Sequence, residues 1–336
     1  MLNLPEYPPR LTLARTPTPF HYLTRASDQW GGGKRLWIKR DDLTGSALTG
    51  NKVRKLEFFA AHALNNGFRT LVTCGGLQSN HCRATALVAA QLGLRCHLVL
   101  RADDSDRANT GNFLLDQIAG ATYEVLPAVG WNRALQSAYE RLEQAYLDAA
   151  EPALMIPTGG SDSLGIWGYI AAAEELARDI ATHNIDRAAV VLATGSAGTQ
   201  TGLTAGVALA GLPLEVVGYA VCDDARWFNA KVREDWQAAR RRWPQLPAVR
   251  VEPVTQDHSA GPAYGIAPPE VYQLIVDLAR LEGVVLDPVY TGKAFLGLLR
   301  DIREGFFDGV DDIIFVHTGG IFGLFAHEHS LRQAAS

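Results

Sequence analysis

Apolar and polar positions follow two repeating patterns along most of the chain. Short apolar runs are typical of buried strands, and longer stretches with apolar residues every three or four positions are typical of amphipathic helices. The runs predict strands at residues 35–39, 70–74, 95–100, 121–126, 153–157, 188–193, 284–286 and 313–316. The stretches between them predict helices that begin at 79 or 80 and near 111, 131 and 163. Strands that alternate with helices predict parallel sheets in an open α/β architecture.

A further helix is predicted where Gly50 forms a turn and Asn51 caps the N-terminus. Its apolar positions recur at helical spacing at Val53, Leu56, Ala60 and Leu64. Lys52 therefore lies in the first turn, where the helix dipole is positive and disfavours a cation. Either Lys52 is a solvated lysine that tolerates this small cost, or it need not stay charged. The second interpretation would suit an amine that forms a Schiff base, because such an amine must lose its proton.

Composition excludes several classes of protein. The chain has 336 residues, 47% of them apolar, which is enough for two domains or one large α/β unit and argues against disorder. A net charge of −5 argues against nucleic-acid binding, and no apolar stretch is long enough to span a membrane. The four cysteines form no CxxC pair, and the N-terminus does not resemble a signal peptide. We therefore expect a cytoplasmic protein without nucleic-acid or membrane partners.

Several predicted strands run into turns of glycine and other small residues before the next helix. These turns lie at residues 72–80, 154–163, 190–199 and 314–321. They present free backbone N–H groups at the carboxyl ends of strands, where open α/β sheets bind ligands. Several such turns beside Lys52 indicate a ligand with more than one anionic group.

Two nucleotide-binding motifs match poorly. Residues 45–52 resemble a P-loop, but Asn51 separates the glycine from the lysine, and Val53 replaces the hydroxyl residue that binds Mg²⁺. The glycines of residues 195–202 do not have the GxGxxG spacing of a dinucleotide site. An NTP-dependent enzyme is therefore disfavoured.

Five segments, in matching order, resemble one family. They are residues 50–57, 75–81, 193–199, 286–293 and 317–320. The family is the D-cysteine desulfhydrase and 1-aminocyclopropane-1-carboxylate deaminase family of pyridoxal-phosphate enzymes. The resemblance implies the tryptophan-synthase-β-like fold, fold type II, with two open, twisted, mostly parallel sheets and helices on both faces. It also implies pyridoxal 5'-phosphate as the cofactor.

The resemblance assigns cofactor-binding roles residue by residue. Lys52 matches the lysine that binds the cofactor covalently, and Lys55 matches a residue that helps to hold its phosphate. Asn80 matches the partner of the phenolic oxygen, Tyr290 packs on the ring, and Thr318 matches the partner of the ring nitrogen. The phosphate turn comprises Gly195, Ser196, Ala197, Gly198 and Thr199. Because Thr318 is neutral, we expect an unprotonated ring nitrogen, which favours rapid elimination.

The resemblance also assigns the substrate side of the site. Ser79 and the N–H groups of Asn80 and His81 match the substrate-carboxylate site, and Tyr264 matches a second active-site tyrosine. The predicted substrate-binding residues are Gln78, Ser79, Asn80, His81 and Thr291. The predicted catalytic residues are Lys52, Ser79, Tyr264 and Tyr290.

Each assignment has an ordinary structural alternative. Ser79 and Asn80 are typical of a helix cap, Tyr290 of a core aromatic residue, and Thr318 of a turn. The five ordered segments favour the functional interpretation for Lys52, Ser79, Asn80 and the 195–199 turn, whereas His81 is compatible with capping or lining the site. The residues of 327–329, a His-Glu-His sequence, resemble a metal chelate without a third ligand. We interpret them as a solvated terminus and expect no metal.

The resemblance predicts the domain organisation. The large domain comprises residues 1–52 and 164–336, and the small domain comprises residues 53–163. We expect the site between them and a homodimeric protein. A small amino acid is the expected substrate.

The expected reaction is α,β-elimination. The deaminase branch carries an acidic residue directly after the tyrosine that Tyr290 matches, and here that position holds Thr291. D-cysteine, cleaved to pyruvate, ammonia and hydrogen sulfide, is therefore the first choice. L-cysteate and 1-aminocyclopropane-1-carboxylate are the alternatives. A catalytically silent amino-acid or cofactor-binding protein is the alternative from a different class.

Overall fold

The fold is that of a computed structural model, which describes residues 4–103 and 109–336. The strands are β1 (Phe20–Tyr22), β2 (Arg35–Lys39), β3 (Thr70–Gly76), β4 (Arg95–Arg101), β5 (Thr122–Leu126), β6 (Ala153–Met155), β7 (Ala188–Thr194), β8 (Leu214–Ala220), β9 (Val254–Gln256) and β10 (Asp312–Val316). The helices are α1 (Thr24–Trp30), α2 (Asn51–Asn65), α3 (Asn80–Gln91), α4 (Gly111–Ile118), α5 (Trp131–Asp148), α6 (Trp167–Thr182), α7 (Gly198–Ala210), α8 (Ala225–Arg242), α9 (Pro269–Glu282), α10 (Thr291–Arg303), α11 (Ile321–Leu324) and α12 (Glu328–Ala335). Short 3₁₀ turns lie at Asp41–Leu43, Thr158–Gly160 and Phe325–His327.

The strands form two sheets. The larger has six strands in the order β1-β2-β10-β7-β8-β9, and all its pairs are parallel except β1 with β2. The smaller has four parallel strands in the order β5-β4-β3-β6. The prediction of two mostly parallel sheets is therefore confirmed.

Helices cover both faces of the larger sheet, because alternate residues of its central strands enter different cores. Ala189 and Val191 of β7 pack in a cluster with residues of α9 and α10. Val190 and Leu192 pack in another with residues of α6 and α7. Every residue of β7 is buried, which explains its continuous apolar sequence. The strand's carboxyl end is thus held rigidly from both sides.

The two sheets are not separate in their packing. Strands β3 to β6 lie within the range predicted for the small domain, and the others lie in the large-domain ranges. One hydrophobic cluster contains Leu71 of the smaller sheet together with Phe228 of α8 and Trp167 of α6. The boundaries of the domains and the homodimer stay predictions.

One predicted strand is wrong. Residues 284–286 form no strand, although Val284 and Leu286 are buried in the core. The segment follows Gly283, which ends α9 in the left-handed conformation with φ 69°. A short apolar run signals burial but does not show whether a sheet edge is available for pairing. Here both edges of β10 are taken by β2 and β7.

No helix in the described ranges is long and apolar enough to cross a bilayer. The segment 327–329 is only partly a solvated terminus. The hydroxyl of Tyr272 lies 3.0 Å from His327 Nδ1, and the two rings pack against each other, so His327 ties the C-terminal segment to α9.

Candidate active site

A cavity of about 580 Å³ lies where the carboxyl ends of β3 and β7 meet the start of α2. Its size suits a small cofactor with its substrate. The predicted site residues that line it are Lys52, Ser79, Asn80, His81, Gly195, Ser196, Ala197, Thr199, Tyr264, Tyr290 and Thr318. Residues up to 266 positions apart in sequence are thus brought to one cavity, as the predicted roles require.

Four predicted site residues lie outside the cavity wall. Lys55 and Gly198 lie directly behind it, because a Cβ on Gly198 would be 2.8 Å from Lys55 Nζ. Gln78 turns away, since its Nε2 donates to Thr110 O at 3.0 Å. Thr291 is fully buried, and its hydroxyl donates to Asp287 Oδ1 at 2.7 Å. The predicted substrate contacts of Gln78 and Thr291 therefore have no support from the geometry.

Lys52 is presented by a backbone that only glycine can form. Gly50 has φ 95°, and a Cβ there would be 2.8 Å from the carbonyl oxygen of Thr318. Gly50 itself occupies the N-cap position, so the prediction that Asn51 caps the helix is wrong. Asn51 instead donates from Nδ2 to Thr199 Oγ1 at 3.0 Å, because its side chain turns toward the neighbouring turn.

The environment of Lys52 favours its uncharged, nucleophilic amine. Burial lowers its pKa to about 8. In the part of the chain that the structure describes, Nζ makes no ion pair or hydrogen bond. It lies beside the 158–160 turn, 3.4 Å from the position of a Cβ on Gly159. Near neutral pH a useful fraction of this amine is uncharged and able to attack a carbonyl group.

An anion site lies at the N-terminus of α7. The backbone N–H groups of residues 195–197 donate to no other group within the described ranges. Ala197 has a positive φ of 61° with ψ −32°, which is strained for a residue with a Cβ. Unpaired N–H groups at a helix start favour a phosphate.

Lys55 places an amine behind this turn. Its Nζ is fully buried and donates to Gly159 O and Ser161 Oγ, both at 3.1 Å. Burial, with a smaller effect of Lys52, lowers the pKa of Lys55 well below its usual range. Ser161 Oγ also lies 2.9 Å from Ser196 Oγ. A phosphate dianion bound at the turn would compensate the positive charge of protonated Lys55.

The 78–81 turn offers a second set of donors. Ser79 caps α3 and accepts a hydrogen bond from Cys82 N at 3.2 Å. The N–H groups of Asn80 and His81 have no acceptor in residues 4–103 or 109–336. A Cβ on Gly75 would be 2.4 Å from Ser79 Oγ, so the strand end must be glycine. This geometry suits a carboxylate group.

His81 is a neutral wall residue with a defined tautomer. Thr73 Oγ1 donates its proton to Ile156 O, so it must accept from His81 Nε2, 2.9 Å away. Nδ1 is then an acceptor, and it is buried without a partner among the described residues. Burial, with the nearby charges of Lys52 and Lys55, keeps the His81 pKa well below its usual range.

Two tyrosines and a threonine complete the predicted set. The hydroxyl oxygens of Tyr264 and Tyr290 are 2.5 Å apart. The ring of Tyr290 packs closely on Gly195, where a Cβ would be 3.0 Å from Cε1. Burial raises the pKa of Tyr264 to about 12, so both phenols remain protonated near neutral pH. Thr318 lines the cavity and accepts from Asn51 N through its carbonyl oxygen.

Sequence reasoning missed several wall residues. Arg101, at the end of β4, lies with Cζ 5.1 Å from the ring centre of Tyr264 and 5.8 Å from that of Trp131. Ser161 follows the glycine turn at 158–160, which signals a ligand site but does not single out this serine. Further wall residues that were not predicted are Cys74, Trp131, Cys222, Trp227 and Lys231.

Comparisons with known proteins identify the family of this chain. The family model described as pyridoxal-phosphate dependent enzyme matches residues 11–319. A Thermotoga maritima protein named "Putative 1-aminocyclopropane-1-carboxylate deaminase" is 38% identical, over 96% of this chain and 99% of its own. An Arabidopsis thaliana protein, named as a bifunctional mitochondrial D-cysteine desulfhydrase and 1-aminocyclopropane-1-carboxylate deaminase, is 37% identical over 94% of this chain and 79% of its own.

A solved structure also resembles this chain. The structure described as an ACC deaminase homologue has a TM-score of 0.87 and 36% identity, covering 97% of this chain and 96% of its own. The chain therefore belongs to the pyridoxal-phosphate dependent enzyme family, with fold type II. The cofactor is pyridoxal phosphate, and the site fits it, because Lys52 has no partner among the described residues and the 195–197 N–H groups are free.

Proposed function

We propose that this protein is a pyridoxal-phosphate-dependent lyase that catalyses α,β-elimination on D-cysteine. D-cysteine and water would give pyruvate, ammonia and hydrogen sulfide. One observation carries the proposal. Lys52, with a pKa lowered by burial to about 8, shares its cavity with the hydrogen-bonded phenols of Tyr264 and Tyr290. The uncharged Lys52 amine can remove a proton from the substrate, and the phenols can donate a proton to a leaving group.

The residues around the cofactor hold it and set its orientation. The 195–199 turn and Lys55 would hold the phosphate, Asn80 would donate to the phenolic oxygen, and Thr318 would be the partner of the ring nitrogen. When bound, pyridoxal phosphate draws electrons from the substrate's α-carbon and stabilises the negative charge that forms there.

The other residues bind the substrate and move protons. The Ser79 hydroxyl and the free N–H groups of Asn80 and His81 hold the carboxylate. Lys52 Nζ takes the α-proton. The Tyr290 hydroxyl gives a proton to the departing sulfur and regains one from Tyr264 across their 2.5 Å contact. The phenols carry the protons they need near neutral pH, and the lowered pKa of Lys52 leaves a fraction of its amine uncharged there.

Thr291 favours elimination over opening of a cyclopropane ring. The resemblance implies a carboxylate at this position in the deaminase branch. Here the Thr291 hydroxyl is bound to Asp287 Oδ1, and Asp287 Oδ2 accepts from the N–H groups of Val289 and Tyr290. Neither side chain lines the cavity, so neither supplies a base there.

L-cysteate is a second candidate, favoured by one residue. Arg101 brings a guanidinium to the cavity wall, where it packs on Tyr264 and Trp131. A sulfonate leaving group carries a fixed negative charge that this cation would stabilise. The same lyase chemistry would then release sulfite in place of sulfide.

Initial rates on a panel of substrates test the proposal. Purified holoenzyme is assayed on D-cysteine, L-cysteine, L-cysteate and 1-aminocyclopropane-1-carboxylate under equal conditions. Pyruvate, sulfide, sulfite and 2-oxobutyrate are measured. Preferred release of pyruvate and sulfide from D-cysteine is the expected result. Preferred 2-oxobutyrate release from the cyclopropane substrate would overturn the choice of reaction. A visible band that shifts with amino acids while no keto acid forms would indicate the silent binding protein.

The covalent assignment has its own test. Lys52→Ala is expected to lose the visible band of the bound cofactor. Borohydride reduction followed by peptide mapping should place the cofactor on Lys52. A reduced adduct on Lys55 or Lys293 would contradict the assignment.

A further inference from the structure

Behind the cavity, a buried arginine fixes the orientation of an asparagine amide. Arg83, in α3, is 1% exposed, and its Nε lies 2.8 Å from the Oδ1 of Asn112, in α4. A guanidinium has donors and no acceptor. The side-chain oxygen of Asn112 must therefore point to Arg83, and its amide nitrogen must point the other way.

A second contact, to a backbone oxygen, requires the same orientation of the Asn112 amide. Asn112 Nδ2 donates to the backbone oxygen of Gln78 at 2.9 Å, and a carbonyl oxygen can only accept. The same Nδ2 donates to Asn80 Oδ1 at 3.0 Å. Asn112 is fully buried, so water does not compete for these groups.

The orientation is passed on to Asn80, which lines the cavity. Because its Oδ1 is held by Asn112, the Nδ2 of Asn80 is the end left for a ligand. In the described part of the chain this Nδ2 has no acceptor. The relay from Arg83 through Asn112 thus presents a donor, and not an acceptor, to the cavity.

We propose that Asn112, oriented by Arg83, is a positioning residue that makes the amide of Asn80 a hydrogen-bond donor toward the cofactor's phenolic oxygen. The proposal rests on the role given to Asn80 under the proposed function. A donor at this place stabilises the ionised oxygen, whereas a rotated amide would place a carbonyl oxygen against it.

Arg83 also fixes the segment that leads to Lys52. Its guanidinium donates to the carbonyl oxygens of Ala47 and Thr49, the latter at 2.9 Å. The ring of Phe322 covers it at 5.1 Å. Arg83 therefore holds both the Asn80 amide, through Asn112, and the chain segment that precedes Lys52. Asn80 and Lys52 are groups that would contact the cofactor.

Asn112→Asp tests the proposal, because it replaces the amide nitrogen by an oxygen and leaves the shape of the side chain nearly unchanged. The carboxylate pairs with Arg83 but has no donor for Asn80, so the Asn80 amide is expected to rotate. Bound cofactor with an ionised phenolic oxygen absorbs in the visible, and the protonated form absorbs in the near ultraviolet. The visible-to-near-ultraviolet absorbance ratio of the holoenzyme should fall about tenfold, the value of one hydrogen bond to a charged group. Asn80→Ala should give a comparable fall.

A double variant separates the relay from a simple charge effect. If Asn112 acts through Asn80, then Asn112→Asp adds no further change in the Asn80→Ala background. An additive change would overturn the proposal, since the new carboxylate would then act directly. Asn112→Ala removes the donor without adding an acceptor, so its ratio should lie between wild type and Asn112→Asp. If Asn112→Asp does not fold, a wild-type ratio in Asn112→Ala overturns the proposal.

Thr85→Val is the matched control. Thr85 lies in α3 with a buried hydroxyl that donates to His81 O, so its loss loosens the same helix without touching the relay. Its absorbance ratio should equal that of wild type, and a fall as large as that of Asn112→Asp would overturn the proposal. Failure of the proposed function is separately visible. A wild-type enzyme without lyase activity refutes that function, whereas an active Asn112→Asp variant with an unchanged spectrum refutes only the relay.

Discussion

The hydroxyl oxygens of Tyr264 and Tyr290 lie 2.5 Å apart, and the two rings meet edge to face at an angle of 74°. Tyr264 reaches the site from a loop and Tyr290 from the N-cap of α10, so this contact joins that loop to the start of the helix. A short hydrogen bond between two half-buried phenols is a route by which one proton can replace another.

Removing either hydroxyl is expected to slow elimination. Tyr290→Phe should lower kcat by about 10²- to 10⁴-fold, because the leaving group loses its acid. Tyr264→Phe should lower kcat by a smaller factor, and the kcat of the double variant should be no lower than that of Tyr290→Phe alone. Steady-state kinetics on D-cysteine measure this, with Tyr272→Phe as a control outside the cavity wall. Additive losses would contradict a shared proton path.

Attachment of the cofactor should depend on pH through Lys52. Burial lowers the pKa of this amine to about 8, so its uncharged fraction rises as pH increases toward that value. The rate at which the visible band forms when apo-protein meets pyridoxal phosphate should rise about tenfold per pH unit below about 8 and then level off. Stopped-flow absorbance follows it. A rate that still climbs steeply at pH 10 would indicate an ordinary lysine.

Arg101 should discriminate between substrates. Arg101→Met is expected to reduce kcat/KM for L-cysteate by about 100-fold and that for D-cysteine by less than about tenfold, because only the sulfonate needs a charged donor. Arg95→Met is the control, since Arg95 lies on the same strand but is exposed and paired with Glu151. Equal losses for both substrates would show that Arg101 does not contact the leaving group.

A buried acid should make stability depend on pH. Asp116 is fully buried, and neither carboxylate oxygen has a hydrogen-bond partner among the described residues. Burial raises its pKa to about 8, opposed by Arg83. Above about pH 4 the unfolded chain releases a proton that the folded state retains up to about pH 8. The free energy of unfolding therefore falls as pH rises through this window.

Asp116→Asn removes that penalty. Relative to wild type, its free energy of unfolding should improve by about 6 kcal/mol between pH 4 and pH 8, because the pKa of Asp116 differs by about 4 between the folded and unfolded states and each unit corresponds to about 1.4 kcal/mol. Urea unfolding at both pH values measures the change. Asp28→Asn, on an exposed helix face, should show no such trend. A pH-independent difference for Asp116→Asn would mean that the carboxyl is ionised throughout.

The sequence alone determined the parts of the fold that depend on local pattern. β2, β3, β4, β5, β7 and β10 lie where apolar runs predicted strands. In β2, β3, β7 and β10 most residues are buried, and burial on both faces requires such runs. The glycines at 50, 75 and 198 also carry local information. Each lies where a Cβ would clash with backbone or side-chain atoms, so the turns around the cavity are encoded in residue type.

Only the tertiary structure decided which groups meet. Asn112 and Ser161 carry no distinctive local signal, yet each contacts groups of the site because neighbouring helices and turns pack there. Thr291 has the right neighbour in sequence, but its hydroxyl is bound by Asp287 and faces away from the cavity. Residues 284–286 have a strand-like pattern but no free sheet edge. Periodicity and steric fit act between sequence neighbours, whereas pairing, hydrogen-bond direction and access to a cavity depend on residues far away along the chain.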